Sequence, residues 1–340
     1  MKKNVVALSI AAMLVAISGQ AVSADQELNI YSARHYQTDD ALYGEFTAQT
    51  GIKVNRIEAR DDELLERLRN EGVNSPADVF IAVDAARLTA AGELDLFAPI
   101  QSETLAARIP EHLRTDTWIA FSQRARVIVY NPELVDGALV QTYESLADPA
   151  LRGKVCTRSG SHPYNLSLGA ALMNQIGAEA TEEWARGIVA NFARPPRGGD
   201  TDQIRGVAAG ECGVTIANSY YFVRLMNSDK AEDQQVVESV RFVWPNQETW
   251  GTHINVSGAG MLKNAPNKEA ARKFLEYLAS DQAQIYFADG NNEWPAVSGV
   301  KADNPGLESL GEFKADTTPL QKLSSGITEA QRIYDRAGYR

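Results

Sequence analysis

Four of the twelve tyrosines in this chain fall where a ligand site would form. Tyr36 follows a short alternating segment, Glu27-Leu-Asn-Ile-Tyr31. Tyr164 closes the stretch Arg158-Ser-Gly-Ser-His-Pro-Tyr164, which follows the strand signal at Lys154-Val-Cys156. Tyr220 and Tyr221 lie just beyond the apolar run 212–217. Ligand-binding residues of an open α/β sheet collect beyond the carboxyl ends of its strands, so three strand ends offer phenols. A Tyr-Tyr pair taken alone reads equally well as aromatic packing. The chemistry favours more: a phenolate is a hard, anionic oxygen donor, and hard donors match hard, highly charged cations. A free phenol, with a pKa of about 10, is a poor ligand at neutral pH, but a trivalent ion repels its proton. Ferric iron is the natural match, since three phenolates would neutralise its charge. His35, beside Tyr36, offers a neutral nitrogen or is simply solvated.

Other chemistries find little support. There is no H-E-x-x-H, no G-x-S-x-G, no P-loop and no G-x-G-x-x-G opening a helix after a strand. His35, His112, His162 and His253 show no i, i+4 or H-x-H spacing, which disfavours a zinc site built mostly of imidazoles. An exported hydrolase using His162 or His253 with an acid remains a formal alternative without an evident nucleophile. Net charge is −11, which repels phosphate backbones and disfavours nucleic acid as a partner.

The elements that must position these residues begin after residue 24. Lys2-Lys3, the apolar run 5–18 and Val22-Ser23-Ala24 form the pattern of a cleaved secretory signal, too short to span a bilayer. An exported chain, most simply periplasmic, is expected, with 31 basic and 44 acidic residues and a net charge of −13 after cleavage. Export makes a Cys156–Cys212 bridge available, worth roughly 4 kcal/mol in the chain-entropy model; two buried, unpaired thiols are the alternative.

From 27 onward the pattern alternates: a strand, a helix from Thr38 to Gly51, a strand over 52–57, a helix over 61–71 with Gly72 at its end, and an apolar strand over 76–83. That βαβαβ order predicts a parallel α/β unit. A second α/β lobe follows, with strands at 126–130, 154–156 and 212–217 and helices over 165–177 and 181–191. A strand over 254–261 precedes one long helix over 267–288, and the tail carries a weak helical signal at 307–313 and a better one at 330–334.

The stretches Tyr31-Ser-Ala-Arg-His-Tyr36, Ser75-Pro-Ala-Asp-Val79, Arg124-Ala-Arg-Val-Ile-Val-Tyr-Asn131, Ala217-Asn-Ser-Tyr-Tyr221, Pro245-Asn-Gln247, Gly251-Thr-His-Ile-Asn-Val-Ser257 and Glu293-Trp-Pro-Ala-Val297 resemble one family. It is the periplasmic ferric-iron-binding proteins of ABC importers, within the type II periplasmic-binding-protein fold, and the first and fourth stretches are the specific ones. The resemblance implies two α/β lobes with a ligand cleft between them: lobe one 27–125 plus 254–300, lobe two 126–253, and a helical tail 301–340 packing back onto them. It implies metal ligation by His35, Tyr36, Tyr164, Tyr220 and Tyr221, with Arg124 and Arg224 near the metal. It leaves room for a synergistic anion such as carbonate. It further implies a monomer that hands Fe³⁺ to an inner-membrane permease and its ATPase and catalyses nothing. The rival ligand is an oxyanion such as sulfate or phosphate, held by the hydroxyls and backbone N–H groups of Arg158-Ser-Gly-Ser161.

Overall fold

The computed structural model describes residues 27–34, 36, 38–301 and 303–340. The signal-like segment and His35 lie outside the described residues. Nine strands are seen: β1 (Glu27–Ser32), β2 (Lys53–Glu58), β3 (Val79–Ala82), β4 (Ile119–Tyr130), β5 (Val155–Cys156), β6 (Val214–Asn218), β7 (Arg241–Val243), β8 (Ile254–Met261) and β9 (Trp294–Pro295). Among the helices, α1 (Asp39–Thr50), α2 (Asp61–Glu71), α3 (Ala85–Glu93) and α4 (Glu103–Arg108) precede β4. α5 (Pro163–Ile176), α6 (Ala178–Ala190) and α7 (Asp200–Ala208) lie between β5 and β6, and α8 (Ser219–Met226) and α9 (Ala231–Ser239) follow β6. α10 (Lys268–Leu278), α11 (Asp281–Asn291), α12 (Pro305–Ser309) and α13 (Gln321–Ala337) complete the chain. No described helix is long and apolar enough to cross a membrane.

The strand order is β2-β1-β3-β8-β4-β6-β5, with β7 and β9 both against β4. β1 pairs in parallel with β2 and β3. The βαβαβ unit is thus parallel as its order predicts, while β3 and β8, β4 and β8, and β4 and β6 run antiparallel and make the whole sheet mixed. β8 returns from the second half of the chain and enters the first sheet from the opposite direction.

β4 joins the two halves of the sheet. Its residues Ile119 to Ala125 pair with β8, and from Arg126 onward it pairs with β6. It begins seven residues before the strand expected at 126–130. The signal was broken by Ser122, Gln123 and Arg124, of which Ser122 and Arg124 are buried as hydrogen-bonding partners. The single helix expected over 267–288 is two, because the Ser280 hydroxyl accepts the N–H of Ala283 and caps a new helix. The tail helix α13 is far longer than its sequence signal and packs on α5 and α6 of one half and α3 of the other.

Cys156 and Cys212 form a disulfide, with Cα atoms 5.8 Å apart, tying the end of β5 to the start of the neighbouring β6 segment.

Candidate metal site between the lobes

Each phenol is placed by a strand end. The carboxyl end of β1 leads through Arg34 to Tyr36. Arg34 is buried and anchors that loop: its guanidinium bonds Asp39 at 3.0 and 3.2 Å, Ser257 at 2.8 Å and Glu293 at 3.0 Å. Its charge lies 4.7 Å from the centroid of the Tyr36 ring. Glu293 also accepts from Ser122 at 2.7 Å.

Tyr164 occupies the first turn of α5, where Pro163 leads the helix and the His162 ring accepts the Tyr164 N–H at 3.2 Å. His162 is thus a cap, held neutral with its pKa pushed down to about 3 by burial and by the positive charges of Arg158 and Arg126. Tyr220 and Tyr221 occupy the first turn of α8, directly after the fully buried strand β6. The Ser219 hydroxyl accepts the N–H of Ala125 and fixes that turn to β4.

The structure brings the four phenols together. The hydroxyls of Tyr164 and Tyr220 are 3.0 Å apart, and the rings of Tyr220 and Tyr221 lie 4.3 Å apart. Tyr36 is close enough that charge on it would raise the pKa of both Tyr164 and Tyr220. Burial is the main reason that the pKa values of Tyr36, Tyr164 and Tyr220 all lie above the ordinary phenol value. For Tyr36 the Glu293 carboxylate adds to this, and for Tyr220 the neighbouring phenols do.

Arg124 opposes the rise at all three. It is buried, donates to the Val83 carbonyl and lies 5.7 Å from the Tyr164 ring centroid. Arg224 is exposed and sits 5.5 Å from the Tyr221 ring and 6.0 Å from the Tyr220 ring. Both arginines flagged by the resemblance therefore face phenols, as cations over aromatic rings.

This arrangement suits a small, hard cation. The Tyr164 and Tyr220 hydroxyls, hydrogen-bonded to each other at 3.0 Å, are close enough for one ion to reach both oxygens. Among the described residues no group of three or more His, Cys, Asp or Glu side chains is placed to hold a metal ion. A cavity of about 10 Å³ behind Tyr164, lined by Arg124, Arg126, Asn218, His253 and Asn255, has room for about one water. A hollow of about 850 Å³ around His112 and Trp118 holds none of the phenols.

The alternatives fare differently. In the Arg158-Ser-Gly-Ser161 loop the two serine hydroxyls bond each other at 2.8 Å, and Arg158 bonds Asp200 at 3.1 Å, so these groups are already engaged. His253 does meet a hydroxyl, Ser167 at 3.0 Å. Both are buried, Asn255 already donates to Ser167 at 2.8 Å, and burial pushes the His253 pKa down to about 3. An imidazole so reluctant to take a proton is a poor general base.

Sequence reasoning passed over Arg34, Glu293, Arg126 and Asp200. The first three sit inside the family-like stretches, but their roles depend on partners far away in the chain.

A two-lobed mixed α/β protein with a polar cleft at its strand ends is a solute-binding architecture. Residues 74–315 match the family model described as bacterial extracellular solute-binding protein, and the chain belongs to that family. It is 50% identical over 317 residues to the iron uptake protein A1 of Synechocystis, covering 93% of this chain and 88% of that protein. It is 29% identical to the Fe(3+)-binding periplasmic protein of Serratia marcescens, covering 94% of this chain and 93% of the relative. Among solved structures, a Trichodesmium protein in complex with iron and citrate ligands matches with a TM-score of 0.88 and 50% identity, covering 92% of this chain and 100% of that one. The ferric binding protein from Campylobacter jejuni matches with a TM-score of 0.85 and 41% identity, covering 92% and 100%. The fold is that of the two-lobed type II periplasmic binding proteins.

Proposed function

We propose that this protein captures ferric iron in the periplasm through the phenolates of Tyr36, Tyr164, Tyr220 and Tyr221, with His35 as a further ligand, and delivers it to an inner-membrane ABC permease. The observation that carries this reading is the convergence of the four phenols from three strand ends, two of their hydroxyls meeting at 3.0 Å. Relatives named for Fe(3+) binding and iron uptake support the choice of cargo. Arg124 and Arg224 offset the charge of the phenolates. Lobe one comprises 27–125 plus 254–300 and lobe two 126–253. The crossing of β4 at Arg126 and the start of β8 at Ile254 supply the hinges about which the lobes close. The 1–24 segment serves as the export signal. The protein works as a monomeric carrier and not as an enzyme: the buried Ser167–His253 contact lacks a competent base.

The direct test is colour. Phenolate-to-iron charge transfer absorbs visible light, so purified protein titrated with ferric citrate should develop a visible band that saturates at one iron per chain. Titration with sulfate or phosphate should produce none. A colourless protein that binds phosphate would overturn the reading in favour of an oxyanion carrier.

A further inference from the structure

We propose that the buried pair Arg126–Asp200 is a positioning device that sets the separation of the Tyr164 and Tyr220 phenols, and that Tyr339, in the tail after α13, is part of the same clamp. The inference rests on the ferric reading above and goes beyond its ligands.

Tyr164 and Tyr220 stand on different helices, and the Cys156–Cys212 disulfide ties the chain only at the strands that lead to them, not at their first turns. Arg126 does so non-covalently. One arm of its guanidinium donates to the Asn165 side chain at 2.7 Å, next to Tyr164. The other donates to the Asn218 side chain at 3.1 Å, two residues before Tyr220, and to Asp200 at 2.6 Å. The same Asp200 oxygen accepts the backbone N–H of Asn218 at 2.7 Å, and the other accepts from Arg158 at 3.1 Å. A guanidinium is a rigid planar fork, so both helix starts are referred to one flat group on the hinge strand.

The tail completes the clamp from outside. Asn165 donates to the Tyr339 hydroxyl at 3.0 Å, which lies 2.7 Å from the Thr157 hydroxyl, and the Tyr334 hydroxyl donates to the Asn165 carbonyl at 3.0 Å. Asn165 thus has partners on β4 and in the C-terminal tail at once.

The pair is 2% and 0% exposed, and Arg126 lies 5.7 Å from the Tyr164 ring centroid, as Arg124 does; Arg126→Lys and Tyr339→Phe leave that charge in place, so their effect reads position. Groups that hold metal ligands in place typically account for about 10–100-fold in metal affinity.

The test uses the mature protein and compares Arg126→Lys, Asp200→Asn and Tyr339→Phe with wild type. Leu275→Ala, a cavity under α10 in a core cluster that holds neither Tyr334 nor Tyr339, serves as the destabilised control. The readouts are the ferric band maximum, the rate of iron loss to a competing chelator, and the melting temperature without iron. All three clamp variants should shift the band and release iron about 10–100-fold faster, while Leu275→Ala lowers only the melting temperature. Tyr339→Phe removes one hydroxyl and keeps the fold, so the test survives even if Arg126→Lys does not fold. Clamp variants with lowered melting temperature but wild-type band and release rate would make the pair merely structural and overturn the proposal. A wild type that takes no colour overturns the ferric reading itself, a distinguishable result.

Discussion

The hydroxyls of Tyr164 and Tyr220 meet at 3.0 Å although 56 residues separate them. In the metal-free protein one phenol donates to the other, and a single proton holds together two oxygens that burial keeps from ionising. On the ferric reading proposed above, both phenols would lose their protons to solvent and the ion would take the place of the hydrogen bond between them.

Removing one of these oxygens should therefore weaken iron binding while leaving the fold alone. Tyr164→Phe, Tyr220→Phe and Tyr221→Phe should each lose at least about tenfold in ferric affinity, or 1.4 kcal/mol, with a weakened visible band. Tyr43→Phe is the control: Tyr43 is buried on α1 in the core of the first lobe. Equal affinity and colour in all four variants would sink the phenolate model.

The sequence told most where function depends on local order. Phenols after strand ends, the helix stop at Gly51 and the cap at Gly72 are read from neighbours a few residues apart, and the structure has them there. What lay hidden was held by distant partners. Arg126 and Asp200 look like two surface charges until the fold buries them together, 74 residues apart. Arg34 and Glu293 are hidden in the same way at a separation of 259. The break at Ser280 was masked because the apolar pattern runs on through it in phase.

Proton release gives a second prediction. Burial keeps Tyr36, Tyr164 and Tyr220 protonated near neutral pH, so each must give up a proton to ligate. Iron affinity must then rise with pH and fall in acid. After correction for the chelator's own protonation, the logarithm of the apparent affinity should climb by about one per pH unit for every phenolate ligand. A pH-independent affinity between about pH 6 and 8 would contradict it. Comparison with His35→Ala adds the fifth ligand: if His35 ligates, the wild-type band moves before it bleaches on acidification, and the variant loses that first step.

The disulfide supplies a third. Cys156 and Cys212 close a loop with a sequence separation of 56 and tie together the two strands that lead to Tyr164 and Tyr220. Alkylation of unreduced protein should label no thiol by mass spectrometry. Replacing both cysteines by serine should cost about 2–4 kcal/mol, seen as a melting temperature lower by roughly 5–10 °C. An unchanged melting temperature would mean that the bridge adds nothing to the folded lobe.

A buried histidine and a half-buried aspartate give the iron-free protein opposite responses to acid, and their signs can be separated. His253 has its pKa pushed down to about 3, first by burial and then by Arg126 and Arg124. An unfolded histidine titrates near about 6.5. Between those values the unfolded chain binds a proton that the folded one refuses, so this stability is complete above about pH 6.5. It then declines by at most about 1.4 kcal/mol per pH unit on acidification. Asp61 works the other way. Burial and then the neighbouring Asp84 raise its carboxyl to about 6, above the unfolded value of about 3.9. The folded state therefore carries a penalty at pH 7 that disappears as the group takes its proton. Asp61→Asn removes a charge that burial opposes, and it should stabilise by roughly 1–2 kcal/mol at pH 7.5, allowing for residual solvent, and by almost nothing near pH 4. His253→Gln keeps a hydrogen-bonding group facing Ser167 but cannot titrate, so its disadvantage at pH 7.5 should shrink steadily toward pH 4. Urea unfolding at the two pH values reads both. A gain for Asp61→Asn of equal size at pH 7.5 and pH 4 would show that its carboxyl is not the group that burial strains.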